Sequence, residues 1–564
     1  MAIREFRDTL FLLSPHACGD FVILRELTET DMIKTQTWQK AVLRHAVSRR
    51  EWFTTCVLFL LLAGPISNSF GQETVPSSPE SGFWKSVYSD NHVLDIRITL
   101  SADNWKTMQP EQAERGRGRE GRGARGQDER GGRGGGPPNR RPGPPDGPRR
   151  GGPPTGDRPQ GEPPGGGPPQ GRGGPPQGGG PGGGTEFTYV KAQIEVDGET
   201  YADVGLRFKG NSSYRSSANS LKRPMKIHMN KYNKKQSLHG RDKLNLSNAM
   251  LDSAFMKEKL AYGLYESAGL AAPEVGWANV TLTVDGKTEP LGIYVLIEQV
   301  DKQFMKNHFG KDSKDSLLMK PEVNAWEYLG DNAEDYAGYD IKYGEKNARQ
   351  FSQLGELLKL INDGSDSEFE SEIGKRFDLP QLAGYLAATS LLSSLDSYVS
   401  APHNYYLMLD KADGKMRLLP WDVNESFAAH TRGASVEQLV DWDIDRPWIA
   451  DRRLLERLFK TEDFPTMYRT ALSELTKEFT AEKLFPQIEE YRKAIAPHVG
   501  KYKAGAGTTG LEAGINGDQQ GINRSVDRQV LAIKPFIQRR HKSVAAQLAD
   551  EREGQTISQG RGRR

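Results

Sequence analysis

Cysteine is nearly absent: the 564 residues contain two, Cys18 and Cys56. Both lie before or inside an apolar run at residues 52–63, which follows Arg49-Arg50 and precedes small residues around 67–71. That is the three-part layout of a secretory signal, with cleavage expected near Gly71-Gln72 and Met32 as an alternative start to Met1. A chain cut there carries no cysteine, which excludes disulfide cross-links, a thiol nucleophile and thiolate-bound zinc. Long hydrophobic runs are lacking too, since this one reaches about a dozen residues against the roughly twenty of a membrane span. The expectation is an exported chain, periplasmic, surface-attached or secreted, with no stable membrane span after cleavage. An excess of charge of one sign is also missing: the formal net charge is +2, which argues for no particular partner.

Glycine and proline, by contrast, abound. The 61 Gly and 33 Pro concentrate at residues 111–184, among arginines. Such a stretch buries too little apolar surface to offset its ordering entropy, so it is expected to be disordered. Its Arg-Gly-Gly triplets are like those of nucleic-acid-binding tails, but almost no aromatic residue is interleaved for stacking on bases, and no nucleic-acid partner is expected. Strand-like sequence flanks the stretch on both sides, which makes it an insertion within a domain. The resulting organisation is an N-terminal region with the signal (1–71), the start of a sheet lobe (72–110), the insertion (111–184), the rest of the sheet lobe (185–300), a helical lobe (301–550) and a disordered polar tail (551–564).

Two-residue alternation marks strands at 93–100, 191–196, 201–209, 224–229, 277–284 and 291–298, with Asp197-Gly198 and Asp285-Gly286 as hairpin turns. Gly210-Asn211-Ser212-Ser213 is a polar turn able to present backbone amides and two hydroxyls to an anion. Along 224–229 the period puts Lys226 and His228 on one face and Met225 and Ile227 on the other. Asp252 or Ser253 is placed to cap a helix through Ala268, with Gly269 as its stop, and 301–309 is helical. Further helices are expected at 378–395, 448–460, 464–479, 481–496 and 525–547. The fold class is therefore α+β in two lobes, a mostly antiparallel sheet with one helix followed by a mostly helical lobe, with the ligand site in the cleft between them.

Residues 392–427 hold the densest chemistry. Residues 405–409 alternate, Asp413-Gly414 turns the chain, and 416–419 lead into Pro420-Trp421-Asp422. A hairpin returns the chain to its start, so Asn404 and Asp422 come close together, with Asp396 and His403 on the loop just before them. A carboxylate, an amide oxygen and a second carboxylate form an oxygen-ligand set suited to Mg2+, with one acid left as a base. The plainer alternative is that Asp396 caps, Asn404 turns and Asp422 ends a strand.

In a two-lobed phosphotransferase the sheet lobe holds the nucleotide phosphates with a turn and a lysine, and the helical lobe supplies the base and the metal ligands. The parts occur here in that order. Lys226 would reach the phosphates and Glu258, on the next helix, would orient it, with Lys222 as the rival lysine. Each has an ordinary reading as well: Lys226 as a solvated strand residue, Glu258 as a commonplace helix-face glutamate, and Gly-Asn-Ser turns are widespread.

The segments Leu206-Arg207-Phe208-Lys209-Gly210-Asn211-Ser212-Ser213, Arg223-Pro224-Met225-Lys226-Ile227 and Gly292-Ile293-Tyr294-Val295-Leu296-Ile297-Glu298, then Asp396 with Asn404-Tyr405, then Pro420-Trp421-Asp422, resemble the CotH family, spore-coat-protein-H-like atypical kinases. The resemblance spans 190–547. It implies a protein-kinase-like fold that binds ATP with Mg2+ or Mn2+ and phosphorylates Ser or Thr of a protein substrate, here a surface or secreted one. It implies Asp396 as the catalytic aspartate and Asp422 as the metal-binding one, with Asn404 and Asn424 as further metal ligands. Nucleotide contacts are expected from Arg207, Ser212, Ser213, Lys226, Glu258 and Glu298. Where members often carry Trp-Asp-x-Asp, this chain has Trp421-Asp422-Val423-Asn424, one negative charge fewer beside the metal. Asparagine keeps a carbonyl oxygen, so binding there is expected to weaken rather than vanish. The insertion is a second departure.

Two other classes of function compete. A secreted or surface-attached binding protein that keeps the fold without activity fits export, because ATP is scarce outside the cytoplasm. A glycosidase would use Asp396 and Asp422 as its acid pair, but the lysine-bearing sheet would then have no role.

Overall fold

The computed structural model describes residues 79–110 and 186–557, apart from short stretches at 218, 322–325, 337, 345–347, 401–402, 450, 500–506, 518–520 and 524–527. The export signal, the Gly/Pro/Arg insertion and residues 558–564 lie outside the described residues.

Seven strands close into a barrel in the order β1-β2-β3-β4-β5-β7-β6. They are β1 (Val93–Leu100), β2 (Val190–Val196), β3 (Glu199–Phe208), β4 (Met225–His228), β5 (Lys243–Ser247), β6 (Val275–Val284) and β7 (Lys287–Ile297). Neighbours run antiparallel except at the closure, where β1 lies parallel to β6 from Val93↔Trp277 to Leu100↔Val284. The two-residue period sends Ile96, Ile194, Leu206, Ile227, Leu246 and Val280 inward, all fully buried in one cluster. The sheet expected from the sequence thus has no free edge. Strand β5 escapes sequence reading because it is short and Asn245 is buried between Leu244 and Leu246, which erases the alternation.

Helix α1 (Pro79–Tyr88), also not expected, precedes the barrel. Its Trp84 donates to the His239 carbonyl at 2.8 Å and stacks on Tyr88. Helix α2 (Ala102–Met108) is capped by Ser101, and α3 (Ser212–Ser216) is a single turn. Helix α4 (Lys257–Ser267) packs with the outer faces of β6 and β7, where Val275, Trp277, Ile293 and Val295 are buried. It starts later than the capping pattern predicts. The Asp252 carboxylate accepts from the N–H groups of Ala254 and Lys257, at 3.0 and 2.8 Å, and closes an extra turn with Phe255 at φ +57. Gly269 ends the helix at φ +80, a conformation that favours glycine.

The second lobe contains α5 (Lys302–Phe309), β8 (Leu317–Pro321), β9 (Tyr339–Tyr343), α6 (Ala348–Asp363), α7 (Asp366–Arg376), α8 (Leu379–Leu391), β10 (Tyr405–Leu409) and β11 (Met416–Pro420). It continues with α9 (Val436–Val440), α10 (Arg453–Leu458), α11 (Phe464–Thr476), α12 (Ala481–Val499), α13 (Gly507–Asn516), the paired β12 (Gly521–Asn523) and β13 (Arg528–Val530), and α14 (Ile533–Leu548). The hairpin β10–β11 extends into a four-stranded sheet, β11-β10-β8-β9. Several expected helices are shorter than predicted: 378–395 stops at Leu391, 448–460 contracts to α10, 464–479 stops at Thr476, and 525–547 begins at Ile533. The tail expected to be disordered from Glu551 is largely exposed but is held at two points up to residue 557. Gln555 donates its N–H to the Asp441 carbonyl at 2.7 Å, and Ile557 is buried. No helix among the described residues is long and apolar enough to cross a membrane. The architecture is α+β, a sheet-rich lobe followed by a largely helical one.

Candidate functional site

The hairpin brings its two ends together as its register requires: Tyr405 pairs with Pro420, Leu407 with Leu418 and Leu409 with Met416. Its loop is wider than a two-residue turn, with the Gly414 N–H reaching back to the Asp410 carbonyl at 2.9 Å and only Gly414 left-handed, at φ +70. Asn404 and Asp422 flank the paired residues, and both are left-handed, at φ +62 and +55. Positive φ at non-glycine residues is a local strain that asparagine and aspartate tolerate best, and such strain concentrates at functional sites.

Asp396 lies on the loop after α8 with its side chain 18% exposed. Asn404 Nδ2 donates to both the Asp396 carbonyl and its Oδ2, each at 2.9 Å. His403 Nε2 sits 2.9 Å from Oδ1, with His430 at 3.8 Å and Arg432 at 3.9 Å. Burial pushes the Asp396 carboxyl up, but the His403 hydrogen bond and the charges of His430 and Arg432 more than reverse this, holding it below the usual aspartate value. The opposite holds at Asp422. It is exposed to water. Desolvation by the protein groups beside it nevertheless pushes its carboxyl up, Lys209 and Lys320 pull it back, and Asp396 and Glu425 add to the rise. Its N–H donates to the Tyr262 hydroxyl at 3.0 Å. Asn424, itself half-buried, follows in the turn Val423–Glu425, whose two end residues are buried.

Opposite these groups the barrel presents cations. Arg207 pairs across the sheet with Lys226, so the two share one face, and the period carries Lys209 onto it as well. Lys226 is pushed well below the usual lysine value, first by burial and then by its neighbours Lys209, Arg207 and Lys243. Lys209 is lowered by burial, while Asp422 and Glu258 act to raise it. Glu258 is buried, and its carboxyl is pushed up to about 8 by burial and by Asp422, against the pull of Lys209 and a hydrogen bond with Ser247.

Two expected pairings change in the structure. Glu258 does not orient Lys226: Lys226 Nζ donates to Gln299 Oε1, and the lysine that acts on Glu258 is Lys209. Glu298, expected as a nucleotide contact, has its side chain 2% exposed and bound to Arg241 at 2.7 Å and His308 at 3.0 Å. Arg241 lies over the rings of Trp84 and Tyr88, so Glu298 anchors the network that holds α1 against the barrel. Ser212 and Ser213 open α3, with Ser213 Oγ packed against Gly210. Arg207 donates to the Phe208 carbonyl at 3.0 Å and lies over the Tyr189 ring.

A family model described as CotH kinase protein matches residues 206–544, more than half of this sequence. The chain belongs to the CotH family. This CotH chain is similar to the inner spore coat protein H of Bacillus subtilis (strain 168), with 23% identity over 268 residues that cover 47% of this chain and 70% of that protein. Two solved structures align more remotely. The Helicobacter pylori proinflammatory kinase CtkA does so at 13% identity and a TM-score of 0.24, over 66% of this chain and 95% of that one. The Shewanella oneidensis MR-1 toxin–antitoxin complex of HipA, HipB and operator DNA does so at 11% identity and a TM-score of 0.21, over 55% and 57%. Scores this low carry no argument.

The CotH motifs name Asp396, Asn404 and Asp422, and the structure gathers these three. It adds residues that sequence reading passed over. Lys209 closes the expected strand 201–209, but the strand period gives only its face, and its interaction with Asp422 and Glu258 comes from tertiary packing. Glu425 and His430, joined at 2.6 Å, lie five apart in a segment without secondary-structure period, and only their side-chain types could have flagged them.

Proposed function

We propose that this CotH chain is an exported kinase that transfers the γ-phosphate of ATP to a Ser or Thr hydroxyl of a surface or secreted protein. The observation that carries this reading is the cation-bearing face of the barrel, Arg207, Lys209, Lys226 and Lys243, set against the hairpin end that holds Asp422. Four cations that raise one another's energy gain most when a polyanion such as a triphosphate settles among them. The donors at the hairpin end fit a hard divalent cation: the Asp422 carboxylate and the side-chain oxygens of Asn404 and Asn424. When bound there, Mg2+ or Mn2+ neutralises charge on the phosphates and on the departing oxygen.

Asp396 is the base. Its low proton affinity keeps it ionised at neutral pH, and Asn404 and His403 fix its orientation. The acceptor O–H bond breaks with its proton passing to Asp396, the new oxygen–phosphorus bond forms, and the γ-phosphate leaves ADP behind. Calorimetric titration with ATP tests the reading, with and without Mg2+, together with transfer of labelled phosphate to a Ser/Thr peptide library. Metal-dependent binding and transfer are expected. A wild-type protein that binds no nucleotide would instead leave the non-catalytic binding protein, the reading that Asn424 in place of a second acid favours.

A further inference from the structure

The loop around Asp396 holds more than a proton-accepting carboxylate needs. Asp396 Oδ1 is 2.9 Å from His403 Nε2 and 3.8 Å from His430 Nε2. Behind His430, a Glu425 oxygen stands 2.6 Å from Nδ1. Once the ring gives up its second proton, as metal binding requires, that contact favours the tautomer in which Nδ1–H donates to Glu425 and the Nε2 lone pair faces Asp396. A carboxylate behind an imidazole that faces another ligand is how metal-binding histidines are oriented. Asp396, Glu425 and His430 also keep one donor atom each within 4.8 Å of one another.

We propose that Asp396, His403 and His430 bind a transition-metal ion of the Zn2+ class, with Glu425 orienting His430, at a position separate from the Mg2+ site of Asp422 and Asn404. Two imidazoles and one carboxylate select such an ion over Mg2+, which prefers oxygen ligands throughout. Ligands about 2.0–2.2 Å from a tetrahedral ion stand roughly 3.3–3.6 Å apart. The 3.8 Å gap from Asp396 to His430 therefore closes slightly and the 2.9 Å gap to His403 opens slightly, while the exposed His403 ring, which stands outside the group of donors within 4.8 Å of one another, swings toward His430 to complete the set. Three protein ligands leave a fourth position for water. Arg432, 3.9 Å from the same Asp396 oxygen, is the cation that the ion displaces, and its exposed position lets the guanidinium turn to solvent. The consequence for activity rests on the kinase reading: an ion on Asp396 occupies the oxygen that takes the acceptor's proton, so Zn2+ inhibits transfer in a way that excess ATP does not relieve.

The test titrates the full-length protein with Zn2+ against a chromophoric chelator, in Mg2+ buffer without nucleotide. One saturable ion is expected, retained in Asp422→Asn and lost in His430→Gln and in His403→Gln. Glu425→Gln should weaken it about 10–100-fold, the usual effect of removing a carboxylate behind a ligating histidine. Co2+ in place of Zn2+ should give the visible absorption of a four-coordinate site in the wild type, a signal that a folding defect in a variant cannot imitate, and thermal unfolding checks each variant. No saturable uptake by the wild type, or uptake that survives both histidine substitutions, overturns the site. In phosphotransfer assays, Zn2+ should lower kcat without raising the KM for ATP, and each histidine variant should respond less relative to its own zinc-free rate. A wild type that binds Zn2+ but transfers no phosphate retires the kinase reading and leaves the metal site standing.

Discussion

Asp396 and Asp422 are the same side chain in opposite surroundings, and the difference separates a base from a ligand. Asp396→Asn keeps the hydrogen-bonding shape but cannot take a proton, so ATP affinity should hold while transfer falls about a hundredfold to ten-thousandfold. Asp422→Ala should lose metal-dependent ATP binding and transfer together. Calorimetry beside phosphotransfer rates reads the split, and equal loss of ATP affinity in both variants would reject it. Glu258 offers a second residue-scale test. Folded, it holds its proton to about pH 8, whereas a solvated glutamate releases it near pH 4.3. Across that window the unfolded chain binds fewer protons than the folded one, so this group makes stability fall as pH rises. Glu258→Gln stays neutral throughout. The variant should match the wild type near pH 4 and exceed it at pH 8.5 by up to about 5 kcal/mol, since the proton affinity differs by nearly four powers of ten, each worth about 1.4 kcal/mol, with the pull of Lys209 already included. Urea midpoints across the range measure this, and parallel curves would show Glu258 ionised against Lys209. The Lys209 partnership was not legible in the sequence. Strand period distinguishes faces but not partners, and it could not show that Lys226 meets Gln299, which comes from the far end of β7.

At the scale of elements, the sequence speaks most clearly where a local rule acts. Asp197 and Gly198, and again Asp285 and Gly286, adopt the positive φ that a tight hairpin demands. Helix ends held by distant side chains are invisible to such rules. Arg457 of α10 illustrates this: its guanidinium donates to the carbonyls of Leu360 and Ile361 at 3.0 and 2.9 Å, and to those of Gly364 and Ser365 at 2.8 Å, while lying over Phe369. It therefore satisfies carbonyls that the end of α6 leaves without intrahelical partners. Arg540 of α14 does the same for the carbonyls of Ser390, Val440 and Trp442, with no carboxylate among its hydrogen-bond partners. Arg457→Ala should cost about 2–4 kcal/mol, because buried carbonyls lose their donor and the stacking on Phe369 goes with it. Arg457→Lys should recover only part of this, lacking the planar fork. A denaturant midpoint near that of the wild type for the alanine variant would mean that water replaces the guanidinium.

For the molecule as a whole, the organising fact is a barrel whose first two strands are separated by the Gly/Pro/Arg-rich insertion. The strand-like sequence on both sides marks that insertion as lying within one domain, and the pairing of β1 with β2, Ile96↔Val196 through Thr99↔Gln193, places it between neighbouring strands. What composition could not show is how firmly both flanks are tied down. Before the insertion, Met108 is fully buried, and Gln109 Oε1 accepts from Arg223 at 2.6 Å. After it, Asn104 of α2 donates to the Lys191 carbonyl on β2 at 2.9 Å. The barrel therefore has its own fastenings on each side. Replacing residues 111–185 by a short Gly/Ser linker shortens the loop roughly ninefold, about three halvings at about 0.6 kcal/mol each, so the fold should gain up to about 2 kcal/mol of closure entropy. The expected outcome is a thermal midpoint equal to the wild type or a few degrees above it, with unchanged affinity for ATP. A lower midpoint would mean that the insertion packs on the barrel, and weaker ATP binding at an unchanged midpoint would mean that its arginines reach the cation-lined face beside Lys209 and Lys226.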